Sequence, residues 1–300
     1  MKASNPIVKR GHYTKRDLMG LVYISPWLIG LVLLQAYPFI SSFIYSFAKY
    51  NIASFEWIGL DNYKRLFTID RDLANSIRVT FGYVLITVPG KLVMAMIVAL
   101  ILNQKLKFIN FIRTVYYLPS LMGGSIAVSI LWKLMFMSEG VINNMLSVIG
   151  IQGPNWLGDP SKALPTICIL EIWQFGSSMV LLLAALKQVP KELYEAADVD
   201  GAKKWRTFWS ITFPSITPII FFNLIMQTIQ AFQNFTSAFV VTNGGPNKAT
   251  YVLGMKLYTE AFSNFKMGYA SAVSWVMFVL IMLMTVILFG TSKFWVHYND

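Results

Sequence analysis

Two histidines and one cysteine leave this 300-residue chain short of the side chains that build metal centres and thiol chemistry. His12 and His297 stand near opposite ends, and Cys168 has no second cysteine for an internal disulfide. No G-x-x-x-x-G-K-S/T segment occurs, which excludes a phosphate-cradling loop of that kind. No Ser/His/acid set emerges, so neither a catalytic nor a metal-ligating residue is expected. Charge is also scarce, at 13% of residues, and acids are outnumbered 14 to 25 by Lys and Arg. The paired acids, Asp70 with Asp72 and Asp198 with Asp200, sit in polar stretches where solvation accounts for them. What remains is 56% apolar with a mean hydropathy of +0.55, too little polar surface for a soluble domain of this size.

Crossing a bilayer takes about 20 apolar residues in a helix. Residues 18–47 and 267–292 meet that length without a single charge. Residues 79–102, 114–137, 163–186 and 211–242 meet it with at most one charge each. The expectation is therefore an all-α integral membrane protein with six transmembrane helices in one domain, residues 18–292. The first apolar run is roughly twice as long as the core of a cleaved signal peptide and lacks a small-residue cleavage site, so it should stay as a helix.

The segment 1–17 carries Lys2, Lys9, Arg10, Lys15 and Arg16, which favours a cytoplasmic N-terminus. The loops near 105–113 and 187–206 and the tail 293–300 then face the same side. Lys and Arg divide 14 inside to 9 outside, with Lys91 and Lys133 within spans. Basic loops against anionic headgroups account for much of the net charge of +11, and nucleic-acid binding is not expected.

One polar insert between spans is strongly patterned. Glu195-Ala196-Ala197, Gly201 and Ile211-Thr212-Phe213-Pro214 read E-A-A-x3-G-x9-I-x-F-P. Pro190 suits a first helical position, Glu192 and Glu195 favour the positive end of that helix, and Gly201 supplies a break before a second helix near Ala202. This pattern resembles the EAA loop of ABC-importer permeases, with Phe213 where that family usually has Leu. The outer segments Gly59-Leu60-Asp61-Asn62-Tyr63, Asn155-Trp156-Leu157-Gly158-Asp159-Pro160 and Thr242-Asn243-Gly244-Gly245-Pro246 are similar to those of carbohydrate-uptake permeases. The match is to the first member of the permease pair of the maltose-transporter type, in a compact six-span build without that subunit's large outer domain.

The resemblance implies a type I importer permease fold, with a coupling loop about 188–213 in which Glu195, Ala196, Ala197, Asp200 and Gly201 meet the ATPase. It implies a second homologous permease, two ATPase subunits holding ATP and Mg, an extracytoplasmic solute-binding protein and an oligosaccharide substrate. No cofactor is expected in this chain. The implied location is a bacterial inner or plasma membrane, multi-pass, with both termini cytoplasmic.

Polar residues inside spans mark the candidate pathway. Gln227, Gln230, Gln233 and Asn234 lie in the fifth expected span, where an amide facing lipid would leave its hydrogen-bonding groups unpaired. Spacings of three and four put Gln227, Gln230 and Asn234 on one face. They suit sugar hydroxyls, with Phe232 and Phe235 for the flat faces of rings; hydrogen bonding between helices is the structural alternative. The resemblance makes this helix one wall of the sugar cavity, although Ala231 falls where the maltose permease has an amide. The fourth expected span adds Glu171, Gln174, Phe175 and Ser178, the second wall in that family. A charge such as Glu171 at mid-membrane costs about 2.5–3.5 kcal/mol. Lys91 is its candidate partner, and a structural ion pair and a substrate contact both fit that placement.

An ion-coupled secondary carrier is the alternative class, for which only Lys91 and Glu171 offer coupling charges. It leaves a partner-docking loop without purpose. A membrane-embedded glycosyl transferase lacks the acidic cluster that a metal-bound donor requires.

Overall fold

The computed structural model describes residues 15–104 and 107–297. The expected basic residues Lys2, Lys9, Arg10 and Lys105, and His12, lie outside the described residues. Helix α1 (Lys15–Leu31) passes through a π-helical turn, Val32–Ala36, into α2 (Tyr37–Ser46). The turn widens just before Pro38, which has no N–H to offer the carbonyl four residues back. A short hairpin follows, β1 (Ala48–Tyr50) against β2 (Phe55–Trp57), antiparallel with Ala48 opposite Trp57. Asn51 closes it by accepting from the backbone N–H groups of Ala53 and Ser54.

After α3 (Asp61–Thr68) comes α4 (Arg71–Leu102), the 32-residue helix around which the other spans assemble. Asp70 caps it, accepting from the Asp72 N–H at 2.9 Å. Ala95 and Ala99 are fully buried one turn apart, which lets a neighbouring helix approach closely. The remaining elements are α5 (Ile109–Leu121), α6 (Ile126–Phe136), α7 (Val141–Val148), α8 (Pro160–Trp173), α9 (Gly176–Gln188), α10 (Lys191–Val199), α11 (Lys204–Thr207), α12 (Phe213–Phe232), α13 (Thr236–Thr242), α14 (Leu253–Tyr258) and α15 (Met267–Ser292). A π-helical turn, Phe208–Thr212, joins α11 to α12. The core cluster nearest α10 joins Ala95, Ala99 and Leu102 of α4 to Met179, Leu182 and Leu186 of α9 and Ile216 of α12.

Among the described residues, five stretches are long and apolar enough to span a membrane: Val22–Ser46, Arg71–Leu102, Ile126–Val148, Lys204–Phe232 and Met267–Ser292. The α8–α9 pair, bent by 45°, makes a sixth. The sixfold expectation stands, but three spans expected to run unbroken do not. The span at 114–137 breaks at Met122–Ser125, where Gly124 takes φ +69°. The span at 163–186 breaks at Gln174 and Phe175, and the span at 211–242 at Gln233–Phe235.

On the hairpin side, a buried ion pair ties the entry of α4 to α14. Lys256, 1% exposed, lies 2.5 Å from the Asp70 carboxylate, which also accepts from the Tyr269 hydroxyl. Burial pushes the Asp70 carboxyl up, but the bonds from Lys256 and Tyr269 outweigh it and hold the group below the usual carboxylate range. A depressed folded-state pKa adds stability above the unfolded value, about 3.9, and that stability is lost as pH falls through the lower folded value. Asp70→Asn keeps a capping side chain but strands Lys256, so it should cost about 3–5 kcal/mol at neutral pH. Asp70→Asn/Lys256→Met should recover most of that loss. Thermal unfolding in detergent measures both, and the gap between wild type and Asp70→Asn should shrink in acid.

Candidate functional site

The three breaks converge on one cavity of about 620 Å³. Ser120, Gly123 and Gly124 face it from the first break, Gln174 and Ser177 from the second, and Gln233, Asn234 and Phe235 from the third. The walls come this close because of glycine. A Cβ on Gly176 would stand 2.6 Å from the Tyr116 carbonyl oxygen, so α9 meets α5 backbone to backbone. The non-helical backbone of the breaks thereby lines a polar hollow within the protein instead of facing lipid, the condition under which a membrane tolerates it.

Of the eight residues expected to bind substrate, Glu171, Gln174, Gln230, Gln233 and Asn234 line this cavity. Gln227 borders a neighbouring void of about 30 Å³ with Tyr83, Thr87 and Lys91. Phe175 lies in the core cluster, its ring 6.0 Å from that of Tyr116, and Ser178 is fully buried. The Gln227 amide donates to the Ser178 hydroxyl at 3.0 Å, joining α12 to α9. That is the helix-to-helix bond weighed as an alternative for these amides.

Hydrogen bonding divides the lining residues into two sets. Asn234 donates to Glu171 Oε1 and to the Tyr83 hydroxyl, both at 2.8 Å, and accepts from the Ser237 hydroxyl at 2.7 Å. One amide thus pins the third break to α4 and α8 together. Lys91 stands 4.0 Å from Glu171 Oε2, the partner foreseen for it. By contrast, the side-chain amides of Gln174, Gln230 and Gln233 make no hydrogen bond among the described residues. Each offers a carbonyl and an NH₂ to whatever fills the cavity. Tyr83, Ser177, Ser237 and the Gly123-Gly124 pair were missed by sequence reasoning. A hydroxyl or a glycine in an apolar span is too common to signal a cavity by itself.

A second concave surface lies on the α10 side. Helix α10 ends at Val199 with Asp200 as its cap, Gly201 takes φ +68°, and the Ala202 N–H returns to the Ala197 carbonyl at 2.9 Å. This is a left-handed helix cap, which glycine adopts without strain. The first helix starts at Lys191 with Pro190 as its cap, one residue later than expected, and the second starts at Lys204 instead of near Ala202. Leu193, Ala196, Ala197, Asp200, Arg206 and Ile211 are among the residues lining a groove of about 580 Å³ between them. Glu195 is exposed outside that lining, and Tyr194 braces the loop through a 3.1 Å hydroxyl bond to Thr212.

Residues 80–297 match the profile of the binding-protein-dependent transport system inner membrane component. The chain belongs to this family of importer permeases. It is 47% identical over 290 residues to the probable ABC transporter permease protein YesP of Bacillus subtilis, covering 95% of this chain and 94% of that one. It is 35% identical to the sulfoquinovosyl glycerol transport system permease protein SmoG of Agrobacterium fabrum, over 90% and 89% of the two chains. In fold it matches a chain of a bacterial alginate ABC transporter, solved in complex with an alginate pentasaccharide-bound periplasmic protein. There the TM-score is 0.81 at 24% identity, over 93% and 95% of the chains. The permease is thus of the carbohydrate-uptake, maltose-transporter-like type with the type I importer fold, a multi-pass transport subunit and not an enzyme; ATP hydrolysis belongs to a separate subunit.

The two hydrogen-bonding sets predict different variants. Asn234→Leu leaves Glu171 and Tyr83 without their donor and should cost about 1–3 kcal/mol in detergent thermal unfolding. Gln233→Leu breaks no bond within the permease and should shift unfolding by less than about 0.5 kcal/mol.

Proposed function

We propose that this permease forms half of the translocation pathway of an ATP-driven importer for an oligosaccharide or a related sugar or polyol. The supporting observation is the set of uncommitted amides, Gln174, Gln230 and Gln233, around a cavity made by three helix breaks. Amides match hydroxyls in both directions, as donors and acceptors. Phe235, beside them and packed on Tyr258 at 4.6 Å between ring centres, offers a flat apolar face to a sugar ring. The volume of about 620 Å³ lies in the range of small-molecule sites, and a second, similar permease would complete the passage.

In this reading α10 and its groove receive the ATPase. Ala196 and Ala197 keep the surface low for close approach, and Gly201 sets the angle between the two helices. Closure of two ATPase subunits around ATP and Mg would push α10 as a rigid lever against α12, whose far end carries Gln230 and leads into the break at Gln233. A solute-binding protein would deliver sugar on the hairpin side, which the reading makes extracytoplasmic in a bacterial membrane, with both termini cytoplasmic. The permease of the alginate transporter, captured with its periplasmic protein, supports that partner by analogy of fold alone.

Two variants test the reading in the transporter purified with its co-expressed partners and reconstituted in liposomes. Gln230→Ala/Gln233→Ala should weaken sugar-stimulated ATP hydrolysis about tenfold or more while basal hydrolysis persists. Gly201→Leu forces a left-handed residue at about 1–2 kcal/mol of strain and should uncouple hydrolysis from uptake with the complex still assembled. Uptake driven by an ion gradient without ATP would instead identify a secondary carrier.

A further inference from the structure

The helical stretch that leaves the Gly201 break has two unlike faces. One, with Arg206, Ser210 and Ile211, lines the α10 groove. The other gathers Trp205, Phe208, Trp209 and Phe213 into a continuous aromatic surface, neighbouring rings 5.0–6.5 Å apart. Trp205 is 74% exposed and Trp209 48%. Neither indole N–H has a hydrogen-bond partner among the described residues, so each is free to meet an oxygen from outside the chain. Lys203 and Lys204 stand exposed at the start of the same stretch and form no ion pair among the described residues. The stretch runs without interruption through the π-helical turn into α12, a membrane span.

We infer that this aromatic face, with Lys203 and Lys204, is a binding site for anionic phospholipid headgroups. An indole at a bilayer boundary buries its ring among acyl chains and turns its N–H to phosphate or ester oxygens. Lysines at the same level add attraction for anionic headgroups. Placement fixes lipid as the occupant: the surface is continuous with a span, so it meets the bilayer boundary, and its charge is complementary to an anionic leaflet. The groove on the opposite face stays open to a protein partner. Lipid then holds the outer side of the stretch from Trp205 to Phe213, which joins the α10 loop to the pathway helix through the π-helical turn Phe208–Thr212.

The test uses the full chain with its co-purifying partners in nanodiscs of dibrominated phosphatidylcholine or dibrominated phosphatidylglycerol. Bromines quench tryptophan emission on contact. The signal of interest is the difference in emission between wild type and Trp205→Phe/Trp209→Phe. That difference should be quenched by both lipids, and more strongly by the anionic one. Lys203→Gln/Lys204→Gln should abolish the preference for phosphatidylglycerol while leaving the quenching itself. Emission that ignores bromine, whether open to aqueous iodide or shielded from it by protein, would overturn the proposal. Equal quenching by the two lipids would overturn the anionic preference. No outcome depends on the solute transported, so this test and that of the sugar pathway fail separately.

Discussion

A bilayer interior gives an unpaired backbone amide no water to turn to, and the architecture of this permease follows from that constraint. Three spans break within reach of one another, and each break exposes carbonyls and N–H groups that a helix would have bonded. Separately placed, the breaks would each face lipid at a cost of several kcal/mol per orphaned group. Brought together around one hollow, they share it. Gly176 allows the backbones to meet, Asn234 stitches the third break to Glu171 and Tyr83, and Lys91 offsets the carboxylate charge. The cavity is therefore the condition under which the broken helices persist.

The same constraint separates structural polarity from functional polarity. A buried amide whose donors and acceptors are used within the protein stabilises a fixed arrangement, as Gln227 and Ser178 do. An amide that lines water and keeps its bonding capacity free is available to a solute. Nature of residue alone does not distinguish them; Gln227, Gln230 and Gln233 are identical side chains at successive spacings of three. Only the positions of their neighbours assign Gln227 to the scaffold and the other two to the open face.

Much of this was legible beforehand. Long uncharged runs announced the spans, because an α-helix in lipid has few ways to tolerate charge. The spaced insert from Glu195 to Pro214 announced the α10 loop, because a glycine break between two short polar helices has a distinctive rhythm. The cost of a lone Glu171 at mid-membrane pointed to Lys91 as a candidate partner and left ion pair and substrate contact both open; the two stand 4.0 Å apart, on the lining of the cavity. The helix breaks were not legible. The Gly123-Gly124 pair is a breaker signal that the apolar run around it masked, and Gln174-Phe175 has no proline or glycine until Gly176. Hydropathy averages over such points, since a break of two to four residues alters direction without altering apolarity. The partition of amides was hidden for a related reason: it depends on contacts such as that of Asn234 with Tyr83, 151 positions apart in sequence.

The central claim is that the cavity at the three breaks is the sugar pathway. It is tested most directly by thiol accessibility at Gln233→Cys, in a Cys168→Ser background, within the reconstituted transporter. The rate of modification by a membrane-impermeant reagent applied from the binding-protein side should rise when ATP is bound without hydrolysis. It should fall again when the transported sugar is added. A rate that neither nucleotide nor sugar changes would contradict the account.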